Sequence, residues 1–305
     1  MTKILVTDSL FIDDDDVAEL AQNGIQVERL DKPDASEDEI IEALRGKQGY
    51  ILGGIEKVTE RVVQSTQGLE WIIFTGTDYK EFIPGWQLAE QKGIKLANVP
   101  GASADAVAEW AVAAALMMQR NLLELGRTGK ASFQTVTSVK DSTIGIVGMG
   151  HVGQAILRDV QGFSPRRILY ANRSEKDCTA EKVDLETLMS ESDIMFVALP
   201  KSAGCVVDKT ILGQCKNGAL MVSISPRQVV DMESLLPLVQ QGKLRGAFDG
   251  GAPTSVYAEL PLSCWYNSNS ITAYNTSQAN KLASTLTVET AINLTKTGED
   301  VRRVV

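Results

Sequence analysis

Residues Ser142 to Ser174, STIGIVGMGHVGQAILRDVQGFSPRRILYANRS, decide the fold. The run Thr143 to Val147 is apolar and β-branched, which predicts a strand. Gly148, Gly150 and Gly153 follow at G-x-G-x-x-G spacing, and Gln154, Ala155, Ile156 and Leu157 then open a helical pattern. Strand, glycine turn and helix in that order predict a dinucleotide site. Gly148 permits the tight turn, Gly150 lets the backbone approach a pyrophosphate, and Gly153 lets the helix pack close to the strand. His151 and Val152 stand at the helix N-terminus, which faces the phosphates.

The next strand, Arg167 to Ala171, ends in Asn172, Arg173 and Ser174. An NAD-specific site places an acid here for the ribose hydroxyls. This chain offers a guanidinium beside a hydroxyl instead, which suits a 2'-phosphate through charge-assisted hydrogen bonds. The reading is an NADP(H) site; the bland alternative makes Arg173 a solvated surface charge.

At 305 residues, with 44% apolar and 23% charged side chains, the chain reads as a globular protein of two domains. Its formal net charge of -9 argues against nucleic acid or an anionic membrane as partner. The start, MTKILVTDSL, alternates as a strand does and carries no signal-peptide pattern, and no apolar run reaches membrane-spanning length. Cys178, Cys205, Cys215 and Cys264 lack metal-ligand or CxxC spacing. Reduced thiols in a cytoplasmic protein are the expectation.

Upstream, ILVTD, IQVERL, YILGG, WIIFTGT and IKLANV read as strands separated by helical segments, which implies a parallel sheet covered on both faces. The acidic run Asp13 to Asp16 reads as a helix start that complements the dipole rather than as a metal site. An alanine- and methionine-rich helix, Ala104 to Arg120, is too apolar for a solvated linker and is expected to pack between domains or between subunits. After the glycine loop, DIMFVALP, ALMVSIS, LRGAFDG and SITAY continue the strand series. A last helix runs from about Gln278 to Lys296 and is expected to pack on the first domain.

Several segments together resemble the D-isomer-specific 2-hydroxyacid dehydrogenase family. NVPGASADAVAEWAVAAAL is similar to its interdomain and dimer helix, GIVGMGHVGQA to its nucleotide loop, and ALPKS, with Leu199 and Pro200, to the loop that flanks the cofactor. GALMVSISPRQVVD, with Ser225, is similar to the strand and turn that carry the family's arginine, and RGAFDG to the strand that brings an aspartate, here Asp249, to the nicotinamide. VRRVV is similar to the usual ending. The resemblance implies an α/β protein of two Rossmann-like domains: a flavodoxin-like substrate domain of residues 1–98 plus 280–305, and a dinucleotide-binding domain of residues 99–279. It implies an active site in the cleft between them, a small-molecule substrate and a homodimer. The loop from Phe74 to Lys80 is similar to the family's substrate loop, so Thr75, Gly76, Thr77, Tyr79 and Lys80 are expected at the substrate, with backbone amides holding its carboxylate.

The catalytic set departs from the family's Arg, Glu and His. Pro226 takes the arginine position and Arg227 comes one place later; Thr254 falls near the glutamate position; the family's T-P-H is Thr272, Ala273, Tyr274; and His151, the sole histidine, lies in the glycine loop. Carbonyl reduction needs a cation on the substrate and an acid for the developing alkoxide. Arg227 and Tyr274 are the candidates, a phenol serving when the conjugate base is strongly basic or a nearby cation lowers its pKa. Three readings stand: a reductase of a 2-oxo acid-like carbonyl or imine with an altered donor, a nucleotide-binding sensor without turnover, and a hydride reaction that draws its proton from water.

Overall fold

The computed structural model describes residues 1–7, 12–32, 34–129, 137–250, 254–268 and 270–305. The chain divides into two compact units, Met1–Ser103 with Thr276–Val305, and Ala104–Asn275.

The first unit runs β1 (Thr2–Thr7), α1 (Asp14–Gln22), β2 (Ile25–Leu30), α2 (Glu37–Ala43), β3 (Gly49–Leu52), α3 (Glu60–Ser65), β4 (Trp71–Phe74), α4 (Tyr79–Phe82), α5 (Trp86–Gln91) and β5 (Lys95–Asn98). Every strand pairing is parallel, in the order β2-β1-β3-β4-β5. β3 and β4 are buried along their whole length, as a parallel sheet with two covered faces requires. The two faces sort by the strand period of two: Leu5, Tyr50, Leu52, Ile72 and Phe74 meet the side of α2, α3 and α5, while Ile4, Val6, Ile51, Trp71 and Ile73 meet the other.

The acidic run ends as a helix start. Asp13 and Asp16 form a reciprocal capping box, with Asp16 N–H to Asp13 Oδ1 at 2.9 Å and Asp13 N–H to Asp16 Oδ2 at 3.1 Å. Lys281 then bonds Asp16 at 3.1 Å, which fastens the chain's last helix to α1.

The second unit contains α6 (Ala104–Gln119), α7 (Leu122–Thr128), β6 (Thr143–Val147), α8 (His151–Gln161), β7 (Arg167–Ala171), β8 (Glu181–Lys182), α9 (Leu185–Glu191), β9 (Ile194–Val197), α10 (Lys209–Leu212), β10 (Ala219–Ser223), α11 (Met232–Gln240), β11 (Leu244–Asp249), α12 (Thr254–Tyr257) and β12 (Trp265–Ser268). The chain then returns to the first unit as α13 (Ser277–Thr297), whose Val288, Ala291 and Leu294 join the core with Ile4 and Trp71. The seven strands of the second sheet are parallel in the order β12-β11-β10-β9-β6-β7-β8. The stripe Ala104, Ala108, Ala111, Ala115 of α6 lies in the core of its own unit with Ile156 of α8 and Leu220 and Val222 of β10. Its small side chains are what let the helix come close.

One expected strand is corrected. SITAY carries no ladder; the edge strand is Trp265–Ser268, a few residues earlier. Two contacts decide this. Trp265 is the register partner of Gly246, and its ring lies where a Cβ on Gly246 would come within 2.2 Å. The N–H groups of Thr272 and Ala273, which a strand would offer to a neighbour, go to a carboxylate instead. The first sheet repeats the device with Trp71 over its register partner Gly49, again at 2.2 Å. Gly246→Ala is expected to lower stability by about 1–3 kcal/mol, the usual cost of overpacking a filled core, measured as the midpoint of urea unfolding with Trp265 fluorescence as one probe. An unchanged midpoint would show that the ring is free to move.

Candidate functional site

Each glycine of the turn after β6 answers to a separate constraint. Gly148 has φ +95, and a Cβ there would lie 2.4 Å from the Ala198 carbonyl oxygen. A Cβ on Gly153 would lie 2.0 Å from the Gly148 carbonyl oxygen, so α8 can rest on the turn only with no side chain there. A Cβ on Gly150 would meet nothing within 4 Å. The space over Gly150 is therefore open to a ligand.

Among the described residues, seven helices start under a side-chain cap, whereas α8, like α4, α5 and α7, has none. Asp13, Ser36, Thr59, Asp184, Asp208, Asp231 and Thr276 cap α1, α2, α3, α9, α10, α11 and α13 with side-chain oxygens. Gly150 has no side chain to cap α8. Among the described residues, the N–H groups of Gly150, His151 and Val152 meet no acceptor, and His151 is exposed with Val152 half-buried beside it. Unmet amides and the positive end of the helix dipole together suit a phosphate.

At the end of β7 the Asn172 Oδ1 accepts the Met149 N–H at 3.2 Å, and its Nδ2 donates to the Ser174 carbonyl at 2.9 Å and hydroxyl at 3.3 Å. Asn172 thus ties the glycine turn to the segment bearing Arg173. Nearby arginines are neutralised: Arg167 by Glu181 and Glu191, Arg166 by Asp193, Arg158 by Asp105. Arg173 is exposed and, among the described residues, has neither ion pair nor hydrogen bond. It is a cation available to a ligand.

The ends of β9, β10 and β11 continue this edge. β6 lies between β9 and β7, so the sheet changes direction there, and ligands of open α/β sheets bind outside the carboxyl ends of strands at such a point. Leu199 is half-buried and Pro200 exposed. Ser225, 3% exposed, donates its hydroxyl to the Val197 carbonyl at 3.0 Å and accepts the Leu199 N–H at 2.8 Å. Its hydroxyl braces two strand ends rather than reaching outward.

Asp249, 6% exposed, is likewise occupied. Oδ1 accepts Ser268 Oγ at 2.6 Å and Thr272 N–H at 3.0 Å, and Oδ2 accepts Ala273 N–H at 3.1 Å. Gly250, with φ +69, lets the turn close, since a Cβ there would lie 2.7 Å from the Ile271 nitrogen. This turn presents Tyr274, 39% exposed. The carboxylate therefore shapes the support of Tyr274.

Arg227 opens a single 3-10 turn after Pro226 (φ -54) and is exposed, with no side-chain partner among the described residues. Residues 251–253 and the side chain of Thr254, the glutamate position, lie outside the described residues.

In the first unit, Thr75 is buried and its N–H bonds the Leu52 carbonyl at 3.1 Å. Gly76 passes over Phe74, whose ring would lie 2.7 Å from a Cβ, and Thr77 is exposed. The Lys80 ammonium sits 4.4 Å over the Trp86 ring and 5.9 Å from that of Tyr79. Burial, and then the charges of Glu90 and Asp78, push the Tyr79 phenol up from its ordinary pKa, so Tyr79 is a poor proton donor. Sequence reasoning missed Asn98, which bonds the Thr77 carbonyl; nothing local to NVPG announces a partner 21 positions away.

Comparison with known proteins follows the same lines. The family described as D-isomer specific 2-hydroxyacid dehydrogenase, NAD binding domain, matches residues 111–269, just over half of the chain. Hydroxypyruvate reductase of Thermotoga maritima is 27% identical over 243 residues, spanning 77% of this chain and 78% of the relative. Glyoxylate reductase of Thermococcus kodakarensis is 33% identical over 198 residues, 59% of this chain and 57% of its own. The structure of D-2-hydroxyisocaproate dehydrogenase has a TM-score of 0.82 at 19% identity over 99% of each chain. That of an acyclic imino acid reductase in complex with NADPH and D-arginine has a TM-score of 0.86 at 20% identity over 100% of each. At such identities the structures speak for the fold alone, and the family match carries the assignment. With its glycine turn, parallel sheets and matching domain, the chain belongs to the D-isomer-specific 2-hydroxyacid dehydrogenase family, whose members matched here are dehydrogenases and reductases.

Proposed function

We propose that the protein is an NADP(H)-dependent reductase of a small 2-oxo acid, or of the imine such an acid forms with an amine, with Tyr274 as proton donor. The observation that carries this reading is the open space over Gly150 at the start of α8, with Arg173, unpaired among the described residues, just past the end of the adjoining strand. Gly150, His151 and Val152 would hold the diphosphate by their amides. Arg173, with Ser174 beside it, would hold a 2'-phosphate, and Leu199 and Pro200 would flank the cofactor. When bound, the nicotinamide supplies hydride to the substrate carbon.

The chain's residues then have three tasks. The backbone around Gly76 and Thr77 receives the substrate carboxylate. Arg227 offers an unneutralised cation for the developing negative charge. Tyr274 gives its phenolic proton to the carbonyl oxygen as that oxygen becomes basic. A protonated imine arrives with its proton already on nitrogen and needs no such donor. The absence of histidine outside the glycine loop favours this second substrate. A homodimer is part of the proposal.

Arg173→Ala is expected to weaken NADPH binding by roughly 10- to 100-fold, the worth of one or two charge-assisted hydrogen bonds, with NADH affinity held within about twofold. Calorimetry with both coenzymes checks it; equal losses would remove the phosphate assignment. Following nicotinamide absorbance with 2-oxo acids, alone and with ammonia or methylamine, tests turnover. Tight NADPH binding with no member of that panel reduced would leave the sensor reading, which the displacement of arginine from position 226 favours.

A further inference from the structure

We infer that Asn98 is a positioning residue that turns two consecutive peptide groups of the substrate loop into a carboxylate-binding nest, an inference that rests on the 2-oxo acid reading above. Asn98 ends β5 and is 5% exposed. Its Nδ2 donates to the Thr77 carbonyl at 2.5 Å, and the N–H of the next residue, Val99, donates to the Gly76 carbonyl at 3.2 Å. Two successive carbonyls of the loop are thus drawn toward the same strand end. In an extended chain successive carbonyls point opposite ways, so this arrangement bends the loop into a concave strip.

A trans peptide is planar, with its C=O and N–H antiparallel. Pinning the Gly76 and Thr77 carbonyls toward the end of β5 therefore aims the N–H groups of Thr77 and Asp78 the other way. Neither N–H meets an acceptor among the described residues. Adjacent amides pointing to one side form an anion-binding concavity, and a carboxylate with two oxygens fits two such donors. Val99 holds its carbonyl by backbone and would do so with any residue. Asn98 holds the other by side chain; the Tyr79 N–H also reaches that carbonyl at 3.2 Å from within the loop, so the tie of the second half of the nest to the end of β5 is the Asn98 amide. Charged residues on the surrounding elements include Asp78 and Lys80 of the loop, Lys95 of β5, Arg303 bridged to Ala97, and Arg302, whose carbonyl accepts the Asn98 N–H and whose guanidinium is paired with Glu289 and Asp300.

The test uses oxamate, a carboxylate beside an amide carbonyl, titrated calorimetrically into the full chain with saturating NADPH. Asn98→Ala is expected to raise the oxamate Kd about tenfold or more, since one hydrogen bond to a charged group is lost, while the NADPH Kd stays within about twofold. Asn98→Asp keeps the shape but puts a carboxylate against the Thr77 carbonyl; it should bind oxamate weakly near pH 8 and recover toward pH 5 as the introduced carboxyl gains a proton and becomes a donor. An Asn98→Ala protein with wild-type oxamate affinity overturns the inference. So does an Asn98→Asp protein whose affinity is flat with pH, whether or not Asn98→Ala folds. Wild-type protein that takes NADPH but neither binds oxamate nor reduces any 2-oxo acid overturns the substrate reading itself.

Discussion

Gly150→Ala and Gly153→Ala are expected to part company: the first loses the coenzyme and keeps its stability, the second loses both. At Gly150 the protein leaves room, since an added Cβ meets nothing within 4 Å and φ is an ordinary -81. A methyl there would stand where the diphosphate is proposed to lie. NADPH affinity should fall about 100-fold, equivalent to two charge-assisted hydrogen bonds lengthened or lost, with the unfolding midpoint unchanged. At Gly153 the methyl would lie 2.0 Å from the Gly148 carbonyl oxygen, a backbone atom of a turn that Ala171 and Ala198 hold on both sides through hydrogen bonds of Gly148 N–H to Ala171 O and Ala198 N–H to Val147 O. The turn must open or α8 must lift, at a cost of about 1–3 kcal/mol or more. Calorimetry with NADPH and thermal unfolding of both variants check the pair. A Gly150→Ala protein that binds NADPH like wild type would sink the proposed path of the diphosphate.

The contrast between those glycines shows what a linear reading reaches. The roles of Gly148, Gly150 and Gly153 follow from one local motif, because the strand, turn and helix that constrain them are contiguous. The alternating strand and helix series was legible for a related reason: parallel strands covered on both faces become uninterrupted apolar runs, as at Ile194–Val197 and Ala219–Ser223. β12 was not legible. WYNS and SITAY are equally prone to extend, and the choice falls to a glycine on β11 that admits a tryptophan and to Asp249, which takes the amides of Thr272 and Ala273. α3 also escaped, since ERVVQS is six residues with two adjacent valines and gains its stability from burying Val62 and Val63.

In the site, positions were easier to read than roles. Ser225 and Asp249 fall at strand ends, where ligands of such sheets bind, but a hydroxyl or carboxylate directs its hydrogen bonds according to partners distant in sequence. Ser225 finds Val197 and Leu199, 28 and 26 positions away, and Asp249 finds Ser268, 19 positions away. Asn98 was silent for the same reason. Arg173, by contrast, was visible because its significance lies in what no neighbour supplies.

Tyr274→Phe should lower kcat for carbonyl substrates by about 10²- to 10⁴-fold, the range of a lost general acid, with NADPH affinity unchanged and reduction of protonated imines nearly intact. The split arises because only the carbonyl oxygen needs a proton at the moment it gains charge. Asp249→Asn should act through the same side chain. An asparagine offers one acceptor where the carboxylate offers two oxygens, and turns an NH2 toward the N–H of Thr272 or Ala273. The turn would then loosen and Tyr274 would lose its place, so kcat should fall about tenfold or more while NADPH binding changes little. Because the two substitutions disable one element, their effects should not add: the double variant should be no slower than Tyr274→Phe alone. If Asp249→Asn instead weakens NADPH binding and multiplies the Tyr274→Phe defect, the aspartate touches the coenzyme directly and the turn is held by Gly250 and Ile271 without it.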